Sequence, residues 1–217
     1  MADFIKNITL LESAGIFTTL GLALKYVLDK AWEYWKTVRK DRKEEKLEVV
    51  EGVIKSSKKI FTLLNEITTR TSVSRALVLA AHDGGKIPSV FSPVYSTVLF
   101  EANDDLPTMT ERWHKQRVDE SYINIINKIL EKDVFQIFVE DMDSGILRDL
   151  YKAEGIDHST VYYLTYSTEK ESVLYLVLNY RDGNGLTHKE KNIIRSCVTD
   201  ITNILEDHRI MELNTIE

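Results

Sequence analysis

Residues 160–190 read TVYYLTYSTEKESVLYLVLNYRDGNGLTHKE. Two runs in this stretch, Thr160–Tyr166 and Ser172–Tyr180, are dense in Val, Leu and Tyr, which suit pleated, half-buried surfaces. The polar segment 167–171 between them is short enough to join a hairpin. Arg181-Asp182-Gly183-Asn184-Gly185 closes the second run with residues that tolerate turn geometry. Thr187-x-x-Glu190 is a capping box: hydroxyl and carboxylate each satisfy a backbone N–H of the other residue. The helix it opens carries Ile193, Ile194, Cys197, Val198, Ile201, Ile204 and Leu205 on one face. The tail 208–217 is expected to fray.

Working back from this stretch, residues 145–153 form a short helix, with Asp143 or Ser144 as candidate cap and Gly155 as the stop. Val134–Val139 is a strand. Asp119–Lys132 is a helix whose inner face holds Tyr122, Ile123, Ile126, Ile129 and Leu130. Residues 101–118 are a long polar connection containing Pro107, Trp113 and His114. Val94–Phe100 and Val73–Ala81 are two further strands, the latter closed by Asp83-Gly84-Gly85. A helix over 47–70 places Val50, Val53, Ile54, Ile60, Leu63, Leu64 and Ile67 near a 3.6-residue period, and Thr68, Thr69, Thr71 and Ser72 end it. This order lacks the repeated strand–helix–strand crossovers of a doubly wound parallel sheet. It predicts an α+β fold: an antiparallel sheet of about five strands with helices on one face. Helices 47–70 and 187–207 would lie side by side there.

A long N-terminal helix precedes this domain. Its apolar stretch Ser13–Leu28 leads into Trp32, Tyr34 and Trp35, and then into Lys36, Arg39, Lys40, Arg42, Lys43 and Lys46. Apolar segment, aromatic belt and positive flank, in that order, is how a chain is attached to a bilayer. The uninterrupted core Ser13–Leu24 is about 18 Å long as a helix, short of a hydrocarbon layer of ~30 Å. Phe17, Leu24, Ala31 and Val38 also recur every seven residues, as do Gly21, Leu28 and Trp35, which is a seam for a partner helix. Phe17, Leu20, Leu24, Leu28, Trp32 and Trp35 are therefore the candidate membrane or oligomer contacts. The chain divides into 1–46, an amphipathic helix and charged stalk; 47–207, the domain; and 208–217, the tail.

The chain has 217 residues, 43% of them hydrophobic, with three prolines and nine glycines. That composition supports a packed core and excludes wholesale disorder. A net charge of −6 argues against a nucleic-acid partner, since such domains are usually basic. The single Cys197 forms no internal disulfide and fits a reducing compartment. The N-terminus lacks the pattern of a cleaved signal peptide: it opens with Asp3, and Lys25 lies within its apolar segment.

Residues 143–207 resemble the second half of a GAF domain, the small sensor fold related to PAS domains. The elements that carry the resemblance are the short helix Gly145–Ala153, the turn Gly155-Ile156, the hairpin Val161–Tyr180, the loop Asp182–Gly185 and the helix Thr187–Leu205. The helix at 47–70 feeding the strand at 73–81 extends it over about 47–207. The resemblance implies a sensing, dimerising or scaffold role without naming a ligand. The Asn-Lys-Phe-Asp-Glu set of cyclic-nucleotide members is missing. Bilin-binding members use a Cys beside the pocket, whereas Cys197 lies on the core face of the last helix. The total layout also resembles the holins of T4-like phages, though its apolar segment starts earlier. Its basic flank also predicts a cytoplasmic domain where those holins have a periplasmic one.

No catalytic centre emerges. His82-Asp83-Gly84-Gly85 has an acid–base pair but reads better as a strand end entering a glycine turn. Glu140-Asp141-Met142-Asp143 gathers carboxylates that serve a following helix dipole more readily than a cation. Cys and His do not occur at zinc spacing. Arg112, Trp113 and His114 are the candidate ligand or partner surface, where an aromatic ring and cations allow stacking and cation–π contact. The sequence therefore leads to a non-enzymatic, membrane-associated regulatory or structural protein without catalytic residues, metal or cofactor. It self-associates through the N-terminal helix, has membrane lipid as a second partner, and lies at the inner membrane with its main domain in the cytoplasm. Two alternatives stay open. One is a phage virion or assembly protein, in the virion or host cytoplasm, whose N-terminal helix packs in an oligomer. The other is a holin-like phage lysis protein.

Overall fold

The computed structural model describes residues 30, 32–40, 47, 49–83, 93–110, 112–167, 172–183 and 185–214. The chain divides into two compact units, Met1–Ile54 and Lys55–Glu217. In the first, residues 30, 32–40, 47 and 49–54 are helical, and the rest of the expected N-terminal helix lies outside the described residues. Phe17, Leu20, Leu24 and Leu28 lie outside the described residues, as do Gly84, Gly85 and the hairpin tip 168–171.

The second unit opens with helix α1 (55–70). Next come β1 (Arg75–His82), β2 (Tyr95–Asn103), β3 (Gln116–Arg117), α2 (Glu120–Glu131) and β4 (Val134–Phe138). The order is completed by α3 (Ile146–Ala153), β5 (His158–Ser167), β6 (Ser172–Tyr180) and α4 (His188–Asn214). The six strands form one sheet in the order β3-β2-β1-β6-β5-β4, and all neighbours are antiparallel. The α+β antiparallel fold is the one the sequence predicts. The strand beyond the expected five is β3, two residues inside the long connection, too short to leave a pattern. α4 continues to Asn214, past the expected end at 207.

Every residue of β6 is buried, which requires cover on both faces of the sheet. On one face α1 and α4 lie against Ala76, Val78, Leu174, Leu176 and Leu178, with Leu64, Ile67, Ile194 and Ile201 filling the interface. This is the expected pair of terminal helices. The opposite face, expected bare of helices, carries α2, α3 and part of the 104–118 connection over Leu77, Leu79, Tyr175 and Val177. Alternation along β1 and β6 sends successive side chains to the two cores. An irregularity between Tyr163 and Thr165 interrupts that alternation in β5, so Tyr163 and Tyr166 both pack toward the α2 side.

Two caps tie distant elements together. The Glu190 carboxylate accepts from Thr187 N at 2.9 Å and Glu190 N donates to Thr187 Oγ1 at 3.3 Å, as the capping box requires, and the Thr187 hydroxyl also donates to the carboxylate at 2.6 Å. The same carboxylate also accepts from Ser72 N at 2.8 Å, just beyond the end of α1. At α3 the sequence candidates Asp143 and Ser144 do not cap: the N-cap residue is Gly145, which has no side chain to offer. Asp119 does the work from the start of α2. Its Oδ1 accepts from Tyr122 N at 3.0 Å and its Oδ2 from Ile146 N at 2.9 Å. A Cβ on residue 145 would stand 2.4 Å from Ser121 Oγ and 2.7 Å from Asp119 Oδ2, so the double cap needs a glycine there.

The hydrogen bonds from Thr187 and Ser72 hold the Glu190 carboxyl down at about 2, against an ordinary value of 4.5. A carboxylate whose folded pKa is depressed adds stability above its unfolded pKa and loses it as pH falls toward the folded one. Glu190→Gln should therefore lower the urea midpoint at pH 7, and the gap to the parent should close between about pH 4.5 and 2. Urea titrations at pH 7, 4 and 2.5 measure this; a gap that stays constant with pH would contradict it.

Candidate functional site

The 104–118 connection is a packed layer over the α2 side of the sheet. Glu101 at the end of β2 gathers it: its carboxylate accepts from Met109 N (2.8 Å), Thr110 N (2.9 Å) and Thr110 Oγ1 (2.8 Å). Leu106, Met109 and Trp113 turn inward and are buried. The candidate trio is thereby split. Arg112 and His114 are exposed, while the Trp113 ring is 5% exposed and packs 6.1 Å from the Tyr122 ring. Trp113 N donates to Met109 O at 2.7 Å, closing a turn that aims the ring at the core while its neighbours face water.

Beneath this layer lies a cluster of three hydroxyls. Ser96 Oγ is 3.1 Å from Tyr122 Oη and 2.9 Å from Tyr175 Oη, and the two tyrosine oxygens are 2.7 Å apart. Each oxygen can donate one hydrogen and accept another, so the ring satisfies itself without water. Burial pushes the Tyr122 hydroxyl up to about 12. It raises Tyr175 well above the ordinary value, and the neighbouring Tyr122 adds to the shift. Both stay neutral across the biological pH range.

A second polar group sits at the start of β1. The Arg75 side chain is fully buried, and its Nη2 is 2.6 Å from Glu154 Oε2. Nη1 donates to Pro107 O at 3.3 Å. The Asn179 amide oxygen accepts from Arg75 Nε (3.2 Å) and Nη2 (3.1 Å), and its nitrogen donates to Ser159 Oγ (2.8 Å) and Tyr151 Oη (3.2 Å). That amide orientation follows because a guanidinium only donates. Arg112, half exposed, adds a 3.2 Å contact to Glu154 Oε1. This network joins β1, β5, β6, α3 and the long connection. Arg75 lies within the strand predicted over Val73–Ala81, and an arginine inside so apolar a strand is itself a signal, since a charge there must be paired.

The other candidates are peripheral. His82 ends β1, with its Nε2 2.8 Å from Thr97 Oγ1. Burial, with Lys115 next in effect, lowers its pKa. Cys197 is buried against α1, and burial, followed by the charges of Glu66 and Asp200, pushes its thiol up to about 11. Among the described residues no three of His, Cys, Asp and Glu converge to hold a metal ion. Asp141 and Asp143 face Lys128 across a shallow cleft of about 60 Å³, room for a few waters.

No family model matches the sequence, and no curated protein sequence matches it. The structure is similar to solved GAF domains. The GAF domain region of a putative membrane protein from Geobacter sulfurreducens PCA superposes with a TM-score of 0.50 at 14% identity, over 73% of this chain and 98% of that one. The phycoerythrobilin-bound GAF domain of a cyanobacterial phytochrome gives 0.50 at 13% identity, over 72% and 89%. A GAF domain/HD domain protein from Geobacter sulfurreducens gives 0.50 at 11% identity, over 72% and 94%. The chain has a GAF-like fold, as its hairpin, loop and capped helix imply. These similarities lend no support to the holin layout.

Glu154→Ala should destabilise the domain by about 3–5 kcal/mol, because it strands the buried Arg75 charge. Arg112→Ala, which removes the exposed partner of the same carboxylate, should cost less than about 1 kcal/mol. Denaturant unfolding of the two variants measures the contrast; equal losses would mean that Arg75 is not charge-paired in the fold.

Proposed function

We propose that this protein is a non-enzymatic regulatory protein whose N-terminal unit holds a GAF-like domain at the cytoplasmic face of an inner membrane. The observation that carries the membrane element is the exposed indole pair of the first unit. The rings of Trp32 and Trp35 stack 5.5 Å apart and are 55% and 44% exposed, beside Tyr34 at 74%. Lys36 Nζ lies 5.4 Å from the centre of the Trp32 ring, and Arg39 Cζ lies 3.6 Å from that of Trp35. Large amphipathic rings with cations over their faces suit the headgroup layer, where the ring body meets acyl chains and the charge meets anionic lipid. Among the described residues no helix is long and apolar enough to cross a membrane; the apolar segment 13–28 lies outside them. The Geobacter GAF region from a putative membrane protein is a precedent for joining this fold to a membrane.

The regulatory element rests on the GAF-like fold, and the non-enzymatic one on chemistry. The buried hydroxyls and the Cys197 thiol are held protonated, so none is poised as a nucleophile. Self-association through the N-terminal unit is supported by Leu47, Val50 and Ile54, spaced three and four apart and 58%, 52% and 62% exposed. That spacing is the seam of a helical pair.

Flotation of the full chain with vesicles of phosphatidylethanolamine and phosphatidylglycerol tests the proposal. The chain should float with the vesicles. Trp32→Ala/Trp35→Ala should weaken partitioning by at least about tenfold, from the loss of two half-buried rings at ~25 cal/mol per Å². A chain that stays in the aqueous fraction and sediments as a stable oligomer would replace this reading with the assembly one.

A further inference from the structure

Strand β4 is the last strand on its side of the sheet, and among the described residues no other strand pairs with its outer edge. Asp133 O accepts from Tyr163 N at 2.9 Å, and Val139 N donates to Asp157 O at 3.0 Å. With the register Val134↔Tyr162 to Phe138↔His158, residues 133, 135, 137 and 139 make the bonds to β5. The N–H and C=O groups of Val134, Gln136 and Phe138 therefore point away from the sheet. One of these acceptors, Phe138 O, also takes a turn bond from Asp141 N at 3.1 Å. The side chains of the same three residues are exposed, Val134 at 50% and Phe138 at 41%, while Phe135 and Ile137 pack into the core. No lysine, proline or bulge interrupts Val134–Phe138, the usual protections of an open edge.

We propose that a second copy of this chain pairs with this edge through its own β4, antiparallel, about a two-fold axis at Gln136. The chain is self-complementary in that register. Gln136 lies opposite Gln136, Val134 opposite Phe138, and every outward-facing backbone group meets another. One step further out, Lys132 lies opposite Glu140, and both are exposed, so the two ends close with opposite charges. A slip of one residue sets outward groups against groups already bonded to β5. A slip of two sets Val134 against Glu140, or Lys132 against Phe138. On the same face an aromatic row crosses three strands, from the exposed Phe138 inward: Phe138 to the buried His158 at 5.4 Å, and His158 to the buried Tyr180 at 4.5 Å and 4°. The Val134 of the second copy extends that row. The two sheets join into one of twelve strands, a contact separate from any pairing of the N-terminal units.

Cross-linking and mass together test this on the full chain. Gln136→Cys brings two Cα atoms to about 5.5 Å, within disulfide range, and should give a covalent dimer under mild oxidation. A control cysteine at the exposed Lys152 should not. Gln136→Lys sets like charges face to face at the axis and should halve the mass seen by sedimentation, with the circular dichroism spectrum and melting temperature unchanged. Lys132→Glu should weaken the association by about tenfold through two like-charge contacts, and adding Glu140→Lys should restore it. No cross-link from Gln136→Cys, or a mass indifferent to Gln136→Lys, overturns the proposal.

Discussion

β6 has no side that faces water. Its nine residues are all buried, and a strand in that position commits the chain to two covering layers. The terminal helices α1 and α4 form one of them, closed by the Glu190 carboxylate that reaches from the start of α4 to Ser72. The other is assembled from shorter pieces: α2, α3 and the connection from β2 to β3. Asp119 holds α2 and α3 by capping both, and Glu101 holds the connection.

The second layer is more polar than the first. The α1–α4 side is mostly aliphatic, with Tyr180 and Cys197 among its buried members. The α2–α3 side contains a three-hydroxyl ring and a fully buried arginine. Burying such groups is costly unless each finds a partner; here they find one another, across elements far apart in the chain. A satisfied polar interior of this kind fixes one packing arrangement more sharply than an aliphatic one.

The surfaces left over are of two kinds. The first unit shows aromatic rings capped by cations and an apolar helical stripe. The second unit shows a bare sheet edge whose sequence, Val134–Phe138, is apolar at the very positions that point outward. Both leave large apolar side chains exposed among the described residues.

Much of the fold was legible in the residues themselves. The hairpin, the Gly/Asn/Asp loop, the capping box and the amphipathic faces of α1, α2 and α4 are local: periodicity and turn chemistry act over a few residues, and the sequence spells them directly. From their order follow the α+β class, the antiparallel sheet and the GAF-like fold. The tertiary structure decided what depends on residues that meet only after folding. Arg75 finds Glu154, and Ser96 finds Tyr175, each across 79 positions, and no local pattern announces either pair. Trp113 turns inward because the face above Tyr122 needed filling, and Asp119 caps α3 because Gly145 left room for its carboxylate. Among the described residues β4 is an edge because no further strand pairs beyond it. Local physics selects the elements; their contacts are set by which unsatisfied surfaces and polar groups the completed sheet brings within reach.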